Sequence, residues 1–386
     1  MKKIIAISVM FALVIGAAFA DVSVSGGYHM SFDFAVDKDH ANGEDVGTGN
    51  YGAGGDVGVS AEGDNAGGKL RIWGDGKSSG VTDHALVWWK PIDQLKIQLG
   101  GWDGDWGHNQ IIGWGFTEGA KDTVALDAAW KGQYHFAGDF APGFWGGFNH
   151  GLSLFIYPAD GIEIDIGIPV TANEGGTLNK PYSTAVIFSN TKINVSAAIP
   201  NIGTAKFALD LNKGELGTIA SLAAKDVDLI TNIYFAFYLS ALESSGMGAE
   251  LGLSVTTSTG ATASGKKNDQ IDLGVGFKYE SGDLGLKAGF GTGFGDAYKV
   301  GTKSLIPISL QVLPYYNLGS LKAFVNAGFS TKIGGDKTYV DILFNPYVQV
   351  PISGGNFWAG VKFFQAGGDP QPKAEWSIPI GFNYNF

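Results

Sequence analysis

Apolar and polar positions alternate with a period of two at the end of the chain. One parity is apolar or aromatic, at Trp376, Ile378, Ile380, Phe382, Tyr384 and Phe386. The other parity is polar or small, at Ser377, Pro379, Gly381, Asn383 and Asn385. Successive side chains of a β-strand point to opposite faces, so a strand here has one apolar and one polar face. This pattern is typical of a barrel strand between lipid and an aqueous lumen.

The same alternation recurs along the chain. It predicts a first strand over residues 21–36 and further strands over 162–168, 227–239, 271–279 and 321–329. Residues 183–199 also stay in phase and predict one long strand. We see no fixed-length repeat of the solenoid type, so the periodicity belongs to hairpins.

Short and long connections alternate between these segments. Eight short turns are predicted from Gly, Pro, Asn, Asp and Ser, at 63–65, 91–93, 158–161, 200–203, 243–246, 281–283, 317–319 and 351–354. Longer polar or Gly-rich connections are predicted at 37–50, 75–83, 171–181, 212–225, 257–269, 291–303 and 365–374. Bacterial barrels place short turns in the periplasm and longer loops outside the cell.

The predicted fold is all-β: a closed antiparallel transmembrane β-barrel. About eighteen strands result if residues 102–148 are mainly an excursion. A hairpin formed by 110–117 and 123–136 would raise the count to twenty, and sixteen is the lower alternative. The number is expected to be even, because both termini of such barrels lie in the periplasm.

The aromatic final strand resembles that of the outer-membrane β-barrel proteins of diderm bacteria. The resemblance implies location in the outer membrane. It also implies that the barrel assembly machinery recognises the C-terminal strand through Trp376, Phe382, Tyr384 and Phe386. More locally, Val87-Trp-Trp-Lys-Pro91, followed by Leu95, Ile97 and Leu99, is similar to hairpins in porin-like proteins of spirochaetes.

The start of the chain predicts secretion. Lys2 and Lys3 precede an uncharged apolar stretch, and the small residues around Ala20 form a cleavage site before Asp21. We therefore expect residues 1–20 to be a cleaved signal peptide and residues 21–386 to form a single barrel domain. The alternative, an uncleaved membrane anchor, would need a span of about 20 residues.

Composition supports one repetitive architecture. Gly supplies 60 of 386 residues, and charged residues make up only 16% of the chain. Removing Lys2 and Lys3 leaves 24 basic and 37 acidic residues, a formal charge of −13, which argues against nucleic acid as a partner. The chain has no cysteine, so it has no disulfide and no thiolate metal site.

The sequence shows no motif for catalysis, a cofactor or a metal. The six histidines lack ligand spacing, and Asp103 with Asp105 falls short of the six to eight oxygens of a calcium site. No G-x-S-x-G motif appears, and the glycine-rich stretch 289–295 lacks the Lys-Ser/Thr of a phosphate loop. We expect a protein that is not an enzyme.

The polar parity predicts the residues that line the lumen, because charge on the lipid face is unfavourable. The predicted pore-lining residues are Asp33, Glu163, Asp165, Asp210, Asp228, Glu250, Asp272, Lys278, Lys287, Lys322, Asp341 and Lys362. A constriction loop is one interpretation of the segment that contains Trp102, Asp103, Asp105, Trp106 and His108. The other interpretation of that segment is a surface loop or weak strands.

These features together predict a porin, a water-filled diffusion channel for small hydrophilic solutes, with a mild cation preference. With Arg71 as the only arginine, an arginine ladder cannot be built. The alternatives are a plugged transporter of hydrophobic compounds, a surface protein or adhesin, and a secreted soluble β-protein. Outer-membrane lipid is the expected environment, and a homo-oligomer is expected by analogy with porins.

Overall fold

A computed structural model shows a barrel built almost entirely of strands. The structure describes residues 21–35, 50–74, 79–81, 85–102, 148–169, 191–213, 229–258, 269–300, 302–335, 339–365 and 374–385. Two short 3-10 helices, Glu243–Ser245 and Asp296–Tyr298, lie between strands. None of the helices among these residues combines the length and apolar character needed to span a membrane.

The strands run through the chain in order. The first half contains β1 Asp21–Ala35, β2 Asn50–Glu62, β3 Ala66–Gly74, β4 Ser79–Val81, β5 Leu86–Ile92, β6 Leu95–Trp102, β7 Phe148–Ala159, β8 Ile162–Pro169, β9 Lys192–Ile199, β10 Gly203–Lys213 and β11 Leu229–Leu239. The second half contains β12 Met247–Ser258, β13 Gln270–Ser281, β14 Leu284–Gly295, β15 Lys299–Val300, β16 Lys303–Ser304, β17 Ile306–Asn317, β18 Lys322–Ile333, β19 Tyr339–Ile352, β20 Gly355–Gly360, β21 Lys362–Gln365 and β22 Glu375–Asn385.

The sheet closes on itself. Each wall strand pairs antiparallel with its neighbours in sequence, and β1 also pairs with β22, with Tyr28 opposite Tyr384. The segments β4 and β5 both pair with β3 and share one place in the wall, and β20 and β21 share another. The pair β15 and β16 forms a separate hairpin. The wall therefore has eighteen strands, which confirms the predicted closed antiparallel barrel and its strand count.

All eight short turns lie where the sequence predicts them, at one end of the barrel, which we call the short-turn end. Gly246 shows why glycine is needed there: its φ is +73°, and a Cβ would overlap the carbonyl of Glu280. Long connections lie at the opposite end, the long-connection end. The predicted strand over 183–199 is described only from Thr191, and β9 starts at Lys192.

The outer face of the wall is apolar. Outward positions are among the most exposed of the large hydrophobic residues, at Val57, Phe207, Phe235, Leu253, Val275, Phe290, Leu310, Phe344 and Trp376. In the described wall strands this face bears no Asp, Glu, Lys or Arg except Lys213, the last residue of β10. A charge-free apolar surface on a closed barrel matches a lipid environment.

The inner face contains small and polar residues. One inner row crosses five strands through Ala236, Gly252, Gly274, Gly291 and Ser309, which lie opposite one another in register. Side chains this small leave the wall backbone close to the lumen. Longer side chains enter the lumen from the inner rows on either side of this row.

Candidate pore lining

Strand register decides which side chains face the interior. Asp165 lies opposite Asn194, and Asp210 lies opposite Lys192, so these polar residues share one face of the wall. The apolar residues between them, such as Ile166 on β8, fall on the other face. The charged row therefore faces inwards all around the described wall.

The structure places eleven of the twelve predicted pore-lining residues on inner rows: Asp33, Glu163, Asp165, Asp210, Glu250, Asp272, Lys278, Lys287, Lys322, Asp341 and Lys362. For Asp33 this placement rests on backbone pairing alone. Asp228 lies outside the described residues. Contact of these side chains with a permeating solute stays a prediction.

Basic and acidic residues occur in comparable numbers on the described inner rows. The basic residues are Lys69, Arg71, Lys90, Lys96, Lys192, Lys206, Lys278, Lys287, Lys322, Lys332 and Lys362. The acidic residues are Asp21, Asp33, Asp56, Glu62, Glu163, Asp165, Asp210, Glu250, Asp272, Glu280, Asp341 and Glu375. The acidic excess of the whole chain is therefore not concentrated on these rows.

Several inner charges are paired across neighbouring strands. Lys192 Nζ lies 2.7 Å from Asp210 Oδ1 between β9 and β10. Arg71 Nε donates to Asp56 Oδ2 over 2.7 Å between β3 and β2. Pairing of this kind makes the wall polar while reducing the local net charge that an ion would encounter.

A buried aromatic cluster lines the interior near the short-turn end. We call Leu313, Tyr315, Phe324 and Tyr347 the inner aromatic cluster. The rings of Phe324 and Tyr347 stack with centroids 4.7 Å apart, and Lys322 Nζ lies 3.9 Å from the centroid of Tyr315. The strand register places Tyr315 and Tyr347 on the inner face of the wall.

A second cluster anchors a connection at the long-connection end. Tyr298, in the 3-10 helix after β14, donates a hydrogen bond to Asp272 Oδ1 and accepts one from Gln270 Nε2 over 2.8 Å. Ser254 Oγ donates to the other Asp272 oxygen over 3.2 Å. Gly293 makes room, because a Cβ there would meet the Tyr298 ring. No pattern in the sequence indicates this contact.

A third cluster closes the turn between β11 and β12. Tyr238 donates to Glu243 Oε1 over 2.6 Å, and Lys278 Nζ lies 3.4 Å from the same oxygen. The hydrogen bond from Tyr238 holds the pKa of the Glu243 carboxyl below its usual range, and attraction by Lys278 acts in the same direction. Slight desolvation opposes both effects.

The remaining predicted site residues fall at the ends of strands or outside the described chain. Trp102 ends β6 and is buried, whereas Asp103, Asp105, Trp106 and His108 lie outside the described residues. Trp376, Phe382 and Tyr384 occupy the outward row of β22, and Phe386 is outside. Asp21 begins β1, and Ala20 is outside.

Comparison with solved structures identifies the same fold in outer-membrane proteins. OccK10 (OpdN) of Pseudomonas aeruginosa aligns with a TM-score of 0.59 and 11% identity over 95% of this chain and 99% of that chain. The outer membrane channel DcaP of Acinetobacter baumannii has a TM-score of 0.51 and 11% identity, covering 96% of this chain and 98% of that chain. OmpF of Salmonella typhi, in complex with daunomycin, has a TM-score of 0.51 and 11% identity over 95% and 98% of the two chains.

Sequence comparisons give no family assignment. No model of a protein family matches the chain. No curated protein matches it either. The similarity to spirochaete hairpins around Val87 stays a prediction. The closed wall, its apolar exterior and these alignments show that the chain has the fold of porin-like outer-membrane β-barrels.

Proposed function

We propose that the protein is a porin that lets small hydrophilic solutes cross the outer membrane by passive diffusion. The observation that carries this proposal is the segregation of charge. The described wall strands hold their Asp, Glu, Lys and Arg on inner rows, apart from Lys213 at the end of β10, and their outer rows are mainly apolar. A closed barrel satisfies its own backbone hydrogen bonds, so an interior rich in charge is suited to water and polar solutes.

The proposed selectivity is a mild preference for cations. The mature chain has a formal charge of −13, which raises the local concentration of cations near its mouths. The comparable numbers of acidic and basic residues on the described inner rows limit this preference. We therefore expect a weak bias and not the exclusion of anions.

The constriction loop, the processing site and the oligomeric state belong to the same proposal. Trp102 is buried at the end of β6, which is where the segment that contains Asp103 and Asp105 starts. We propose that this segment narrows the passage. We also propose that mature chains start at Asp21, assemble through the aromatic row of β22 and associate into homo-oligomers.

Planar-bilayer recording tests the pore. Purified, heat-modifiable protein is expected to give stepwise conductance increases. Folded barrels without conductance would contradict the proposal and favour an adhesin or a plugged transporter. A plugged transporter would migrate as a heat-modifiable barrel but show no conductance, because a plug blocks ions without unfolding the barrel.

Reversal potentials in a salt gradient test the selectivity. A small potential of the sign produced by cation flow is expected. Anion selectivity would contradict the cation preference while leaving the pore itself established.

Amino-terminal sequencing of the protein purified from outer membranes tests the start at Asp21.

A further inference from the structure

A group of oxygen-bearing side chains lies on the inner wall of β7, β8 and β9. Asp165 is directly opposite Asn194, and Glu163 is two residues before Asp165 on the same inner row. Ser153 of β7 is opposite Gly167, so it is a diagonal neighbour of Asp165. Directly opposed residues have Cβ atoms about 5 Å apart, and diagonal ones remain within reach.

Three members of this group, Ser153, Asp165 and Asn194, have buried polar atoms without a hydrogen-bond partner. Asp165 and Asn194 have 0% of their surface exposed, and Ser153 has 1%. Within the described part of the chain, neither carboxylate oxygen of Asp165, neither amide atom of Asn194 nor the Ser153 hydroxyl makes a hydrogen bond. Leaving such atoms unsatisfied is unfavourable, so a bound species is expected to satisfy the four oxygens, and the amide N–H group of Asn194 would need a water molecule as its acceptor.

The charges around the group favour a cation as that species. Glu163 and Asp165 are close enough to repel each other as carboxylates and to share a hydrogen bond if one is protonated. The ammonium group of Lys96, 3.7 Å from the centroid of the Phe155 ring, attracts both carboxylates. Lys192, which lies opposite Gly167 on β9, forms an ion pair with Asp210. Two carboxyl groups beside one lysine give the group an excess of acidic over basic side chains.

The donor atoms define the kind of cation. Carboxylate, amide carbonyl and hydroxyl oxygens are the ligands of hard cations, and calcium completes its six to eight ligands with water. No group of three or more His, Cys, Asp or Glu in the described residues is arranged to hold a metal, so amide and hydroxyl oxygens must contribute here. We propose that Ser153, Glu163, Asp165 and Asn194 form a calcium-binding subsite on the lumen wall.

This inference rests on the proposed pore, because the cation would reach the wall from the lumen. Its position is near the short-turn end, since Glu163 lies two residues after Gly161 in the turn between β7 and β8. A bound calcium ion there would neutralise both carboxylates. Calcium is therefore expected to reduce the cation preference of the channel.

Terbium luminescence of the folded full-length mature barrel tests the subsite. Terbium substitutes for calcium, and Tyr157, which lies within electrostatic range of both carboxylates, can sensitise its emission. We expect saturable luminescence that calcium displaces. Asp165→Asn is expected to weaken terbium binding by at least about tenfold, because ligand charge governs calcium affinity over orders of magnitude.

The matched control is Asp341→Asn, which changes the same charge on the inner row of β19, where Ser330 donates to Asp341 over 2.6 Å. This control is expected to bind terbium as the unmodified protein does. Equal binding by both variants and the unmodified barrel would overturn the proposal, and so would equal loss in both. If Asp165→Asn does not fold, Asn194→Leu takes its place with the same expected loss.

Bilayer recording of the same preparation separates the two hypotheses. Conductance without saturable terbium binding overturns the subsite and leaves the porin intact. Terbium binding lost only in Asp165→Asn, in a barrel that does not conduct, supports the subsite and contradicts the porin. Conductance whose cation preference falls with calcium in the unmodified channel but not in Asp165→Asn supports both.

Discussion

At the scale of single residues, Gly285 permits a contact that spans three strands. Tyr315 on β17 lies opposite Gly285 on β14, which lies opposite Glu280 on β13. The Tyr315 hydroxyl donates to Glu280 across this glycine. A Cβ at position 285 would overlap the Tyr315 ring. The absence of a side chain is therefore what allows the inner aromatic cluster to reach Glu280.

Gly285→Ala is expected to destabilise the barrel by about 1–3 kcal/mol, the usual effect of overpacking, because the Tyr315 ring must move away from Phe324 and lose Glu280 as its acceptor. Unfolding in denaturant, followed by heat-modifiable migration, measures the change. Gly58→Ala is the matched control, since a Cβ there would meet its nearest neighbour at an ordinary 3.5 Å. Equal stability of the two variants would show that Tyr315 adapts freely.

Glu243 gives a pH dependence at the same scale. Its lowered pKa means that the folded state favours the carboxylate. This contribution is fully present above the unfolded pKa of about 4.3 and is lost as the pH falls through the lower folded pKa. Glu243→Gln is therefore expected to lower the unfolding midpoint slightly at pH 7, and this difference is expected to disappear once the pH falls below the lowered folded pKa.

The corresponding measurement is the thermal unfolding midpoint of both proteins across this pH range. Asp283→Asn, in the next short turn, is the control for removing an acidic side chain from this end. A difference between Glu243→Gln and the unmodified protein that persists unchanged at low pH would contradict the role of the carboxylate.

At the scale of elements, the connection between β14 and β17 is held against the inner wall. Tyr298 is fixed to Asp272 and Gln270, and the backbone N–H of Leu305 donates to the Tyr298 carbonyl over 3.2 Å. The hairpin of β15 and β16 lies between these two residues. Its exposed Lys299 and Lys303 are therefore presented at the long-connection end on an anchored support.

Tyr298→Phe is expected to free this hairpin, since it removes two hydrogen bonds, one of them to a charged group. Losing a hydrogen bond to a charged group corresponds to about 1.5–3 kcal/mol, so trypsin should cleave at Lys299 or Lys303 at least about tenfold faster. Tyr316→Phe, on the lipid-facing row of β17, is the control. Identical cleavage in both variants would mean that the hydroxyl does not anchor the hairpin.

Strands and turns could be predicted where a short stretch of sequence specifies them. The short turns follow from Gly, Pro, Asn and Asp, and strand faces follow from the period of two, so the inner position of Asp165 could be read from its neighbours. The contact of Tyr298 with Asp272 could not, because it joins residues 26 apart through a register that no local pattern specifies. The bridge from Tyr315 to Glu280 has the same origin.

At the scale of the whole molecule, the outer face must remain free of charge. Leu253→Lys, in the middle of β12 on the lipid-facing row, is expected to destabilise the folded barrel in lipid by about 2–4 kcal/mol. Unfolding from lipid vesicles measures this effect, with Leu253→Ala as the control for lost volume. A lysine tolerated as well as alanine would show that this row does not contact hydrocarbon.

The closed barrel could be predicted from the sequence, whereas the arrangement of charges in its interior could be predicted only in part. Alternation required a two-faced sheet, and the even strand count followed from the expected position of the termini. The balance of charge inside depended on which residues the register brings together. The ion pair of Lys192 with Asp210 is an example, because nothing in the sequence around either residue identifies the other as its partner.

The seam between β1 and β22 determines when this protein can be completed. The first strand to be synthesised needs the last one as a hydrogen-bond partner, with Gly27 opposite Asn385. Until β22 has been synthesised and reaches β1, one edge of β1 remains unpaired and promotes aggregation. The growing polypeptide must therefore be kept unfolded or shielded throughout export. A chain that ends before β22 would remain an open sheet that is prone to aggregation.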